Sequence, residues 1–204
     1  MHDYLKLARG LAKKDRRLKA CLEAGPPLDL GRAPGFASLL RIIIGQQVSV
    51  AAAASIWRKV EAALDSLAPE TLLALEEDAL RACGLSRQKI GYARGLAQAL
   101  AIKTLDLDHV HGLDDAQAIA ALRQIKGFGN WSAEMYLMFS LHRLDVWPVD
   151  DLGIVLGVQN LLGLPGKPSK AEMLAFGEPW RPHRSVAARM IWTHYNAHSA
   201  KLKK

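Results

Sequence analysis

The stretch "QIKGFGNWSAEM", residues 124–135, sets two glycines and a lysine between two segments that both read as helix. A plain turn between helices needs one glycine, placed at the end of the first. Two glycines separated by a single apolar residue let the backbone itself come close to something else. A helix–hairpin–helix meets that description. It presents successive main-chain N–H groups at the turn and at the start of the second helix, where they and the positive end of the helix dipole form an anion site. In that geometry Gly127 and Gly129 let the main chain approach a phosphate. Ile125 and Phe128 anchor the hairpin in the core, and Lys126 adds a charge at its rim. Such donors see phosphate only, so they position DNA without reading its sequence. Spacing alone fits a plain glycine-rich elbow equally well.

Working outward, nearly every flanking segment also reads as helix. Residues 11–25 carry Leu11, Leu18, Cys21 and Leu22 on a seven-residue beat and stop at Gly25-Pro26-Pro27. Residues 36–47 are apolar on most sides, as a central buried helix would be. Ser49 and Ser86 stand where caps belong, before 50–64 and 87–101. Residues 114–127 begin acidic and end basic, which complements the helix dipole, and "SKAE" at 169–172 is a capping box. The extended candidates are 104–113 and 144–149, and neither alternates long enough to found a sheet. The expected class is therefore all-α. Glycine–proline clusters at 25–35 and 163–168 read as surface loops.

The totals bound the function. A chain of 204 residues, half of them hydrophobic, buries a real core and fits one compact domain or two small lobes. No apolar run reaches the roughly 18 residues of a membrane span, and the charged N-terminus "MHDYLKLARGLAKKDRRLKA" has no h-region of a secretory signal. Cys21 and Cys83 are too few for a disulfide framework, which points to a reducing, cytoplasmic (nucleoid-associated) or nuclear setting. Lysine and arginine exceed the acids by 27 to 20, with part of the surplus in the terminal "KLKK". A polyanion partner fits that balance, as does a basic solvated surface.

The blocks "LRQIKGFGNWSAEMYLM" and "DVWPVDD", with "IIIGQQVSVAAAASI" (42–56) and "EPWRPHRSVAARMIW" (178–192), resemble the helix–hairpin–helix, Gly/Pro-rich loop and aspartate signature of base-excision DNA glycosylases. Within that superfamily the likeness is to 3-methyladenine DNA glycosylase II, over roughly residues 36–195. The resemblance implies a two-lobed helical bundle with an active-site cleft between the lobes. It implies one compact glycosylase domain over 1–204, without the N-terminal β domain of some members. It implies double-stranded DNA containing alkylated bases as partner, with no membrane and no obligate protein partner. By motif position Asp151 is the catalytic carboxylate, and Asp150 is then the candidate cap of the following helix, an assignment that residue type alone leaves open to exchange. Trp131 and Trp192 match aromatic positions of the family's base pocket; Tyr136 stands one place from another, held here by Met135. Gln47 matches the side chain that fills the gap left by a flipped base, with Gln46 beside it. The carbonyls of Arg123, Ile125 and Phe128 match positions that hold a sodium or potassium ion in some relatives, and no other cofactor is implied.

These residues suit monofunctional chemistry. Relatives that also cut the strand carry a lysine nucleophile just after the hairpin, where this chain has Trp131, and an indole forms no Schiff base. Two cysteines cannot hold the four-cysteine iron–sulfur cluster of many such relatives. Breaking an N-glycosidic bond develops positive charge on the sugar, which a fixed carboxylate stabilises. An alkylated purine is already cationic, a good leaving group and a good partner for aromatic faces. The competing readings are a non-catalytic helix–hairpin–helix module that recognises damaged DNA and a bifunctional glycosylase/lyase. His194-x-x-x-His198 lacks the glutamate of a zinc-protease helix and is not read as a metal site.

Overall fold

The computed structural model describes residues 3–201; the end of the basic tail, from Leu202 on, lies outside the described residues. Every regular element among the described residues is helical. The chain runs through α1 (Tyr4–Lys14), α2 (Lys19–Ala24), α3 (Phe36–Gly45) and α4 (Val50–Ala63). It continues through α5 (Pro69–Ala74), α6 (Glu77–Ala82), α7 (Arg87–Ala101), α8 (Leu107–Gly112) and α9 (Asp115–Leu122). The last four are α10 (Asn130–Phe139), α11 (Leu152–Leu162), α12 (Lys170–Gly177) and α13 (Arg184–Lys201). The chain divides into two compact units, residues 32–136 and residues 1–31 with 137–204.

In the unit formed by 32–136, α7 is the central helix, packed by α3, α5 and α6. Its core is aliphatic: Leu39, Leu40, Ile43, Ile44, Leu72, Leu80 and Leu96 are all fully buried. The expected serine caps are present, Ser49 Oγ accepting from Ala52 N and Ser86 Oγ from Lys89 N. Residues 104–113 are not extended. Asp106 accepts from the backbone N–H groups of Asp108 and His109 and starts α8, so a local cap overrides the weak alternation.

In the other unit, α13 packs against α11, α1 and α2. Gly157 of α11 lies so close to Ile191 of α13 that a Cβ would come within 2.5 Å of the Ile191 side chain. Arg189 of α13 is fully buried, with guanidinium N–H groups donating to the carbonyls of Leu28 and Met138 and its face over the rings of Tyr4 and Phe139, at 4.3 and 4.4 Å. One charged side chain thereby ties the loop after α2 to α10 and α13.

One further expectation fails here for a stated reason. Residues 11–25 are not one helix: α1 ends at Lys14 because Asp15 turns extended and caps the short 3-10 turn Arg16–Leu18. Its carboxylate accepts from Arg17 N–H groups and from Trp180 Nε1 at 2.8 Å, and the hydrogen bonds from Arg17 hold its pKa at about 2. Residues 144–149 form no sheet, as expected; bends at 144–145 and a turn at 149 interrupt the run. Their backbone is satisfied by Ser185, whose Oγ accepts from Val146 N and donates to Val146 O while its N donates to Leu144 O.

Candidate active site

The hairpin follows α9 as a run of tight turns: Ile125 N donates to Leu122 O and Phe128 N to Ile125 O. Ile125 and Phe128 are buried at 7 % and 6 % exposure, the anchors expected from their apolar character, while Lys126 and Gly129 are exposed. Gly127 has a backbone φ of +89°, and a Cβ there would overlap the ring of Tyr92. Glycine is therefore required twice over at this position, by conformation and by the aromatic floor beneath the turn. A Cβ at Gly129 would meet nothing within 4 Å, so that residue is open on its outer side.

Gln46 does something its sequence context did not show. Its Nε2 donates to Gly127 O at 2.9 Å and to Ser132 Oγ at 3.0 Å, fastening the end of α3 to the hairpin and to the first turn of α10. Its neighbour Gln47 is exposed and has φ +54°, a left-handed conformation uncommon for glutamine. Trp131, at the start of α10, is half-buried. Tyr136 is fully buried; its hydroxyl accepts from Gly35 N at 2.9 Å and lies 2.9 Å from His111 Nε2. Burial pushes that phenol up to about 12, so it stays protonated. The ring of Tyr136 offers no exposed face, and its role in this structure is to tie α10 to the loop before α3 and to α8.

The carbonyls of Arg123, Ile125 and Phe128 all belong to this reversal. Ile125 O accepts one hydrogen bond, from Phe128 N at 2.9 Å, and a carbonyl has a second lone pair. Neutral oxygen donors of this kind fit a hard cation. His194 and His198 stack on α13, and His194 Nε2 lies 2.9 Å from Asn160 Oδ1. Among the described residues no group of three His, Cys, Asp or Glu could hold a metal ion.

The other unit holds the carboxylate. Asp150 is not the cap: it is exposed and pairs with Lys170 Nζ at 2.8 Å. Asp151 caps α11 itself, its Oδ1 accepting from Ile154 N at 2.8 Å. The same oxygen accepts from Trp192 Nε1 at 3.0 Å, and Asp151 is only 8 % exposed. The exchange has a simple cause. Asp150 N is not at the helix start, whereas Asp151 has the extended ψ of 120° that a cap needs. The helix dipole and two N–H donors thus hold the anionic oxygen in one place.

Trp192 is 9 % exposed, with its ring 5.3 Å from that of Phe139. Gly153 makes the pairing with Asp151 feasible: a Cβ there would lie 2.8 Å from Trp192 Nε1 and 3.1 Å from Asp151 Oδ1. The remaining tryptophans are packing residues. Trp57, Trp147 and Trp180 are buried, the last two edge to face with centroids 5.2 Å apart. Sequence reasoning missed Tyr92, Gly153 and the hairpin contact of Gln46. The glycine of "DDLG" was the one local signal, since a glycine inside the first turn of a helix needs a packing reason.

An all-helical chain with a glycine hairpin open on its outer side and a capped, nearly buried aspartate has the architecture of a helix–hairpin–helix protein. Comparison narrows this, because residues 40–182 match the HhH-GPD superfamily base excision DNA repair protein profile. The chain belongs to that family. It is 32 % identical over 171 residues to DNA-3-methyladenine glycosylase 1 of Schizosaccharomyces pombe, covering 82 % of this chain and 75 % of that one. The solved structure of a 3-methyladenine DNA glycosylase from the same yeast, bound to abasic DNA, superposes with a TM-score of 0.81 at 30 % identity, covering 94 % of this chain and 95 % of that one. A DNA-3-methyladenine glycosidase structure from Bacillus halodurans matches with a TM-score of 0.76 at 32 % identity, over 98 % and 92 % of the two chains. Among the described residues no helix is long and apolar enough to cross a membrane.

Proposed function

We propose that this chain is a monofunctional DNA glycosylase that hydrolyses the N-glycosidic bond of alkylated purines, of the 3-methyladenine and 7-methylguanine type, in base excision repair. The observation that carries the reading is the Asp151 carboxylate, fixed by Ile154 N and Trp192 Nε1 at the head of α11 in a chain of this family. As the C1′–N bond lengthens, its electron pair moves onto the cationic base, which leaves neutral. Positive charge gathers on the deoxyribose, and water adds to C1′ as a proton is lost. A carboxylate about 4 Å away in an effective dielectric near 20 stabilises that charge by on the order of 4 kcal/mol. This corresponds to roughly a thousandfold in rate. Because the donors already hold the oxygen, no reorganisation is needed when the charge appears.

The substrate is double-stranded DNA with an alkylated base turned out of the stack. Trp131 and Trp192 are assigned by motif position as aromatic partners of that base, and Tyr136 supports α10 within the unit that carries Trp131. Gln47 enters the duplex where the base was, a role favoured by its exposed left-handed backbone. The hairpin amides around Gly127, Phe128 and Gly129, with Lys126 at the rim, grip the phosphates, and Gln46 keeps the hairpin in register. A sodium or potassium ion on the carbonyls of Arg123, Ile125 and Phe128 would stiffen that turn. Trp131 stands where a lyase needs its lysine, so strand cleavage is not part of the reaction. The setting is a reducing, DNA-containing compartment. The test is to incubate the protein with methylated duplex DNA and identify the free bases released. Release of 3-methyladenine supports the reading; binding without release, or borohydride trapping of a covalent complex, overturns it.

A further inference from the structure

The N-terminal helices carry a feature that none of this chemistry uses. A groove of about 620 Å³ between α1 and α2 is lined by Arg9, Lys13, Arg16 and Lys19, with Ala12 and Leu22 half-buried at its floor. All four cations are exposed, and none forms an ion pair among the described residues. No carboxylate lines the groove. Asp3 is occupied as the cap of α1, and Asp15 is held by Arg17 and Trp180. Lys13 has a local reason to be where it is, at the C-terminal end of α1. Arg9, in the middle of α1, has none.

We propose that this groove is a second, sequence-independent site for the sugar–phosphate backbone of DNA. The occupant follows from the lining. Arg9 and Lys13 stand one turn apart, about 6 Å along α1. One DNA strand presents a phosphate about every 3.4 Å of rise, so the pair spans roughly two of them. Two arginine forks suit phosphate oxygens, and a small apolar floor suits deoxyribose edges rather than a row of acidic side chains. The choice of polyanion rests on the reading of this chain as a DNA-acting enzyme, but not on its glycosidic chemistry. A site of this kind raises retention on undamaged duplex, where an enzyme in search of rare lesions spends its time.

The test compares the full chain with the R9Q/K13Q/R16Q/K19Q variant in binding an undamaged duplex of about 30 base pairs between about 50 and 200 mM salt. Each phosphate contact contributes about 0.9 to the slope of log affinity against log salt, so the variant loses about 3 to 4 of that slope. Single-turnover base release at saturating enzyme stays unchanged, since none of the four belongs to the catalytic or base-binding residues. In the unmutated chain, the same duplex protects Lys13 and Lys19 from reductive methylation, a readout independent of how well the variant folds. An unchanged slope, or lysines left unprotected by DNA, overturns the proposal, as does protection by polyglutamate and not by DNA. Failure of wild-type protein to release any base would remove the glycosylase reading and leave the slope and protection results standing.

Discussion

Two helix starts in this molecule treat negative charge in opposite ways. Before α10 stands Gly129, which has no side chain, at the end of a turn whose floor is aromatic and whose rim is Lys126. Before α11 stands Asp151, which brings its own anion and fills the position that another anion would take. The first start leaves its outer side open; the second has an anion built in, the one the proposed reaction would use. The contrast teaches that one piece of physics, the donor-rich head of a helix, is open to an outside anion when left bare and fixes its own when capped by a carboxylate with a second donor beside it.

The comparison is sharpest at Asp151. Asp151→Asn keeps the capping oxygen and its two donors, so the fold and DNA binding persist while base release falls about a thousandfold. Single-turnover release from methylated DNA, measured beside duplex affinity, checks this. A variant that releases bases at near wild-type rate would mean that the built-in anion has no chemical task. Trp192→Phe comes next. It keeps an aromatic ring and removes the Nε1 donor, and a hydrogen bond to a charged group is worth about 1.5–3 kcal/mol, so release slows about tenfold to a hundredfold. The bare start breaks differently. Gly127→Ala forces a side chain against Tyr92 at φ +89° and costs about 1–3 kcal/mol, read as a lower melting temperature and weaker binding to undamaged duplex. Asp150→Asn should do least. Its partner Lys170 and the carboxylate itself are 59 % and 47 % exposed, so the loss is at most about 0.5 kcal/mol and release is unchanged. A large effect at Asp150 would reverse the assignment of the two neighbours.

How legible each start was in the sequence follows from the same contrast. The hairpin showed itself because its function is written in glycines at fixed spacing, and Ile125 and Phe128 are apolar where anchors must be. The carboxylate pair did not resolve itself. Adjacent aspartates are chemically identical on paper, and only the backbone, extended at Asp151 and followed by α11, decides which one caps. Gln46 was read as a DNA contact by its neighbourhood, yet a glutamine's partner 81 positions away in the chain leaves no local trace. Tyr136 was placed by a one-residue offset, and the helix period turned that offset into full burial. Residues 104–113 failed for a simpler reason: ten residues of weak alternation cannot outweigh an aspartate cap.

The glycine two places beyond Asp151 has a wider consequence. Any side chain at residue 153 would wedge the indole away from the carboxylate, and even alanine would meet Trp192 at 2.8 Å. The aspartate, the missing methyl group and the tryptophan 41 positions downstream therefore form one interlocked unit. A redesign that moves any member must carry the other two along, or it transplants an acid without its bearing.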